Sequence, residues 1–172
     1  AMQACGGADP GVVLGNIRLL HEHGVHVEVA CMDRRDNRED TRQLALALAG
    51  ISERFVLQLM RFVPIEGADP ALEPPIADTE AFAADLRRSL PFTYVFNTPG
   101  TRGLDTVCPE CGAGIVARDF YGPMGARLLS LAPGVPDNGV VCGRCGSDPA
   151  IQGPVSPPAM REGAFQGGYP FT

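Results

Sequence analysis

Val13, Ile17 and Leu20 recur at the i, i+4, i+7 spacing that places apolar side chains on one helix face. Asp9 is a good N-cap ahead of them, Pro10 fits the first helical position, and Gly24 supplies the stop. The pattern then changes to period two. Val25, Val27, Val29 and Cys31 alternate with His26, Glu28 and Ala30, which predicts a strand. A charged loop, Asp33 to Asn37, leads into a second helix carried by Leu44 and Leu48 and ended by Gly50. The run from Phe55 to Phe62 (FVLQLMRF) is short and mostly apolar, as in a strand covered on both faces. Ile65 to Asp78, with Pro70, Pro74 and Pro75, reads as a long loop. A third helix follows from about Thr79 to Leu90, with Phe82 and Leu86 inward. Thr93 to Asn97 is a third short strand.

Alternating helix and strand implies an α/β fold with a parallel sheet and helices packed on it. Three parallel strands leave edges and faces unsatisfied, so another chain, or the missing part of a larger barrel, is expected to cover them. From Pro99 onward the composition turns to Gly/Pro-rich turns and cysteines. The organisation read from this is a partial (βα) barrel over residues 1–98 and a small four-Cys, zinc-ribbon-like module over 99–153. A Pro/Gly-rich tail without periodicity follows over 154–172. In the module, Ile115 to Ala117 and Arg127 to Leu131 read as strands.

Composition narrows the chemistry. The chain has 172 residues and a formal charge of −6, and all fourteen of its basic residues are Arg. The absence of Lys excludes a Schiff-base lysine, a P-loop lysine and a Ser–Lys dyad. The acidic balance, with no run of Arg, argues against nonspecific nucleic-acid binding. No apolar run reaches the ~18 residues of a membrane span, and no charged-then-apolar leader is visible. A soluble, cytoplasmic protein is therefore expected.

Four of the six cysteines form two knuckles, Cys108-Pro109-Glu110-Cys111-Gly112 and Cys142-Gly143-Arg144-Cys145-Gly146. Two residues between thiols, closed by a Gly that accepts positive φ, let both sulfurs point at one ion. Two such knuckles supply the four thiolates of a tetrahedral site, with Cys108, Cys111, Cys142 and Cys145 as ligands. Disulfides would need an oxidising compartment, of which the sequence gives no sign. Neither knuckle opens a helix of a thioredoxin-like unit, which disfavours a redox C-x-x-C. Zinc is the expected metal and a rubredoxin-like iron centre the alternative. Four protein thiolates leave no open position, so the role is structural.

Other candidates are weaker. His21, Glu22, His23 and His26 suggest a metal set, but i and i+2 on a helix point apart and Gly24 interrupts the element. Cys31 ends a strand, where open α/β sheets place ligands, yet it also packs well as a small buried hydrophobe. Glu28, Asp33, Arg34, Arg35 and Asp36 cluster at the same strand end and read as a solvated loop. Arg61 is the outlier: a charge within an apolar strand must be paired or reach the open strand end. It is the cofactor-binding candidate, through a carboxylate or phosphate contact.

The segment from Cys5-Gly6-Gly7 through Val29 resembles the late βα units of radical SAM activating enzymes of the pyruvate formate-lyase-activating type. A second stretch is similar to the C-terminus of the AmmeMemoRadiSam radical SAM group. It runs through Tyr94-Val95-Phe96-Asn97-Thr98-Pro99-Gly100, the first knuckle, Asn138-Gly139, the second knuckle and Ile151-Gln152-Gly153. Arg61-Phe62-Val63-Pro64 matches that group's Arg-Phe-x-Pro strand end. The resemblance implies a family enzyme that cleaves SAM at a 4Fe–4S cluster to make a 5′-deoxyadenosyl radical. Its cluster motif, C-x3-C-x2-C, has no counterpart here, since Cys5 and Cys31 are isolated and Met32 to Asn37 replaces the expected Pro-Gly-x-Asn loop. The chain is thus expected to be the C-terminal portion of such an enzyme, not competent alone. The alternative is a non-catalytic, zinc-stabilised protein-interaction module; a rubredoxin-like electron carrier is a third reading.

Overall fold

The computed structural model describes residues 9–120, 126–132, 141–149 and 151. Cys5-Gly6-Gly7, Asn138-Gly139, Gln152-Gly153 and the 154–172 tail lie outside the described residues. Helix α1 (Pro10–Glu22) starts as its sequence dictates, with the Asp9 carboxylate accepting the Gly11 N–H at 2.8 Å. It ends in a Schellman motif. Gly24 takes φ 74° and donates to His21 O, while Val25 N–H donates to Leu20 O. Val25 is therefore committed to capping the helix, and strand β1 (Glu28–Asp33) begins three residues later than the alternation suggests. The apolar face of α1 is real but mostly uncovered. Only Ile17 is buried, while Val13 and Leu20 are 45% and 44% exposed.

In β1, Val29, Cys31 and Asp33 turn inward, and Glu28, Ala30 and Met32 are exposed. Asp33 is thus the buried end of a strand and not the start of a solvated loop. Helix α2 (Arg38–Ala49) buries Thr41, Ala45 and Leu48 and gives way at Gly50. Strand β2 (Val56–Arg61) buries Leu57 and Leu59 completely but leaves Val56, Gln58 and Met60 half-buried, so it is fully covered on one face only. Each of those two leucines contributes about 1.5–3 kcal/mol of burial.

The segment expected to be all loop contains a one-turn 3₁₀ helix, Pro70–Leu72, capped by Asp69. Helix α3 (Ile76–Leu86) starts three residues before Thr79, because the Pro75 carbonyl accepts the N–H groups of Asp78 and Thr79. Phe82 and Leu86 are buried, as is Leu90 beyond the helix end. Strand β3 (Thr93–Phe96) completes a three-stranded parallel sheet of order β1-β2-β3. β1 and β2 run in register from Glu28 opposite Val56 to Asp33 opposite Arg61. Leu48, Leu57, Leu59, Phe82, Leu86 and Leu90 form the core beside it.

The chain divides into two compact units between Thr93 and Tyr94. In the second unit, β4 (Thr106–Val107), β5 (Gly114–Phe120) and β6 (Ala126–Leu131) form an antiparallel sheet in that order. Irregularities in pairing fall at Thr106/Val107 and at Ala117/Arg118. Both strands expected in this region lie within β5 and β6. Among the described residues, no helix is long and apolar enough to cross a membrane.

Candidate metal centre

The first knuckle is the turn that joins β4 to β5. Cys108 N–H donates to Ala113 O at 2.7 Å, and Gly112 N–H donates to Cys108 O at 2.9 Å. The second knuckle repeats this pattern: Cys142 N–H donates to Ser147 O and Gly146 N–H to Cys142 O, both at 2.8 Å. Gly112 and Gly146 have φ of 69° and 75°, and a Cβ at either would meet nothing within 4 Å. Glycine is required there by backbone conformation and not by space.

The two turns aim four sulfurs at one point. The Sγ atoms of Cys108, Cys111, Cys142 and Cys145 all lie within 4.8 Å of one another. Cys108 and Cys145 approach to 3.6 Å, and so do Cys111 and Cys142. Zinc–sulfur bonds of about 2.3 Å set tetrahedral sulfurs about 3.8 Å apart, so the donor set fits a tetrahedral thiolate ion. The cysteines are free, and these separations far exceed the ~2.05 Å of a covalent S–S bond. Cys108 and Cys142 are buried with Ile115 and Val116, and Leu128, Leu131 and Ile151 pack around them. Cys111 is half-buried and Cys145 exposed. The cluster has an apolar floor and one open side.

The thiols hold their protons unequally. For Cys108, burial works against ionisation, but hydrogen bonds from Ser147 Oγ and from the Cys111 and Glu110 N–H groups outweigh it. They pull this thiol down to about 6. Cys111 accepts the Ala113 N–H, which favours its thiolate. Burial and the sulfurs of Cys142, Cys108 and Cys145 nonetheless push it up to about 12. Cys145 is lowered, chiefly by the Ser147 hydroxyl and N–H. Four thiolates this close repel one another, and a divalent cation at their centre removes that penalty.

The remaining sequence candidates do not converge on a ligand. His23 Nδ1 sits 2.8 Å from Leu19 O, His26 Nε2 sits 3.1 Å from Glu28 Oε1, and His21 packs on Phe55. No metal-ligating group of three or more forms around them among the described residues. Cys31 Sγ lies 3.4 Å from Thr41 Oγ1. Arg34 pairs with Asp36, whose carboxyl this hydrogen bond holds below its usual range, and Arg35 donates to Glu73 O. Arg61 does contact a carboxylate, that of Glu73, and its Nη1 also lies 3.4 Å from Pro74 O. Its buried Nε has no hydrogen-bond partner among the described residues.

Two features escaped the sequence. Asp33, fully buried, accepts the Thr79 hydroxyl at 2.6 Å and pairs with Arg38 at 3.1 Å, tying β1 to α2 and α3. Ser147 is the other, its hydroxyl 3.0 Å from Cys108 Sγ. A signal for Ser147 was present, because it stands five places after Cys142 as Ala113 stands after Cys108. Compared with known proteins, the chain matches no family model, no curated protein and no solved structure.

Proposed function

We propose that residues 94–151 hold one zinc ion in a structural, zinc-ribbon-like centre, and that the chain works as a metal-stabilised module. The observation that carries this is the convergence of four sulfurs within 4.8 Å. Four thiolates saturate a tetrahedral ion and leave no position for water or substrate, which favours a structural over a catalytic role. The ligands would be Cys108, Cys111, Cys142 and Cys145. The ion's contribution would be to neutralise the thiolates and cross-link the two knuckles. Elemental analysis and a visible spectrum of anaerobically purified protein test it. One zinc per chain without visible absorbance is expected, and a coloured iron centre would overturn the choice of metal.

The parallel sheet favours a second reading, a partial (βα) barrel of the radical SAM-like kind that another strand completes. Its support is the sequential order β1-β2-β3 in a parallel sheet, the order in which consecutive βα units build a barrel. Among the described residues the outer edge of β1 carries no strand. Val12, Val13, Leu19 and Leu20 of α1 are 44–60% exposed, an uncovered apolar face that a further element could bury. On this reading the chain acts only with a cluster-bearing partner or barrel half. Amide hydrogen exchange tests it: β1 should exchange faster than β2 in the isolated chain. A β1 as protected as β2 at low protein concentration would count against it.

A further inference from the structure

Ser147 holds in the second knuckle the place that Ala113 holds in the first. Each follows the knuckle glycine, and the carbonyl of each accepts the N–H of the leading cysteine. Their side chains differ by one hydroxyl. Ser147 Oγ lies 3.0 Å from Cys108 Sγ, on the opposite knuckle, and 3.3 Å from Cys145 Sγ, on its own. The hydroxyl therefore bridges the two turns that the metal is proposed to join. Backbone N–H groups already serve both knuckles, so the serine breaks an otherwise repeated arrangement.

We infer that Ser147 is a positioning residue of the metal centre, its hydroxyl donating to the Cys108 sulfur and setting how much charge that sulfur gives the ion. This rests on the four-thiolate reading above. When all four sulfurs are ligands, each is an acceptor only, and the one hydroxyl hydrogen goes to the nearer, Cys108. A hydrogen bond to a ligating sulfur withdraws charge from it and fixes its orientation. Outer contacts of this kind are worth about 10–100-fold in metal affinity.

Cobalt(II) is the probe, titrated into the full metal-free chain, since its tetrahedral thiolate complexes have a sulfur-to-metal charge-transfer band. The unsubstituted chain is expected to bind one ion. Ser147→Ala should bind about tenfold more weakly and move the band to longer wavelength, because a sulfur without its hydrogen bond gives up an electron more easily. Ser147→Thr, which keeps the hydroxyl, should restore both. A role in packing alone would weaken binding and leave the band in place. An unmoved band in Ser147→Ala overturns the inference, whatever the affinity, and leaves the metal centre standing. Failure of the unsubstituted chain to bind cobalt overturns both.

Discussion

Cys108 and Cys111 belong to one cluster yet hold their protons with opposite strength, one at about 6 and the other at about 12. An ion that takes all four sulfurs near neutral pH must displace the proton of Cys111, whereas Cys108 has already lost its own. Affinity therefore rises with pH. Zinc binding, followed by competition with a chelator, should weaken about tenfold or more per unit as pH falls from about 8 to about 6, and more steeply below. A flat profile across that interval would contradict the proton competition. Cys111→Ser or Cys142→Ser should lose the metal and loosen the second unit, and unchanged metal content in either would sink the four-thiolate site. In the first unit the critical side chain is Asp33. Asp33→Ala leaves Arg38 and the buried Thr79 hydroxyl without their carboxylate, at an expected cost of about 3–5 kcal/mol in urea denaturation. A loss below about 1 kcal/mol would mean that the pair can find other partners. The four cysteines were legible because each knuckle is defined within five residues. Asp33 was not, since one of the partners that makes its burial tolerable, Thr79, stands 46 positions away.

At the scale of elements, local chemistry was legible and coverage was not. Asp9-Pro10 and Gly24 bound α1, and Gly50 ends α2, because caps depend on adjacent residues alone. The start of β1 moved because the Schellman motif captured Val25, and the start of α3 moved because the Pro75 carbonyl served as its first acceptor. Periodicity found the apolar face of α1 but not whether anything lies on it. These two states differ energetically. Leu57, with no exposure, should cost about 2–5 kcal/mol on truncation to Ala, through lost burial and the cavity left behind. Leu19, 54% exposed in the last turn of α1, should tolerate Asp at a cost of about 1 kcal/mol in the isolated chain, from helix propensity and the helix dipole alone. Denaturant midpoints of the two variants separate the cases. A loss of 2 kcal/mol or more in Leu19→Asp would show that the α1 face is already covered in the isolated chain.

For the whole molecule, the described helices and the four-cysteine cluster fall in different stretches of the chain. Among the described residues the three α-helices lie before Thr93, while the four-sulfur cluster lies beyond Tyr94, in a unit that contains a short antiparallel sheet. The first unit buries Leu48, Leu57, Leu59, Phe82, Leu86 and Leu90. In the second, two of the four residues at the centre of the hydrophobic cluster are themselves proposed ligands, Cys108 and Cys142. On the four-thiolate reading, the ion would offset thiolate repulsion beside this small core, and its binding energy would be folding energy there. A strong chelator should therefore raise amide exchange through the two knuckles and β5, while α2 and α3 keep their protection and the helical circular dichroism stays unchanged. Returning one equivalent of zinc should restore the exchange pattern. If the helices melted together with the knuckles, the ion would be stabilising the chain as a single cooperative body. If β5 stayed protected in the chelator with the metal shown to be gone, the apolar cluster around Ile115 and Val116 would be sufficient by itself, and the structural role of the centre would fall.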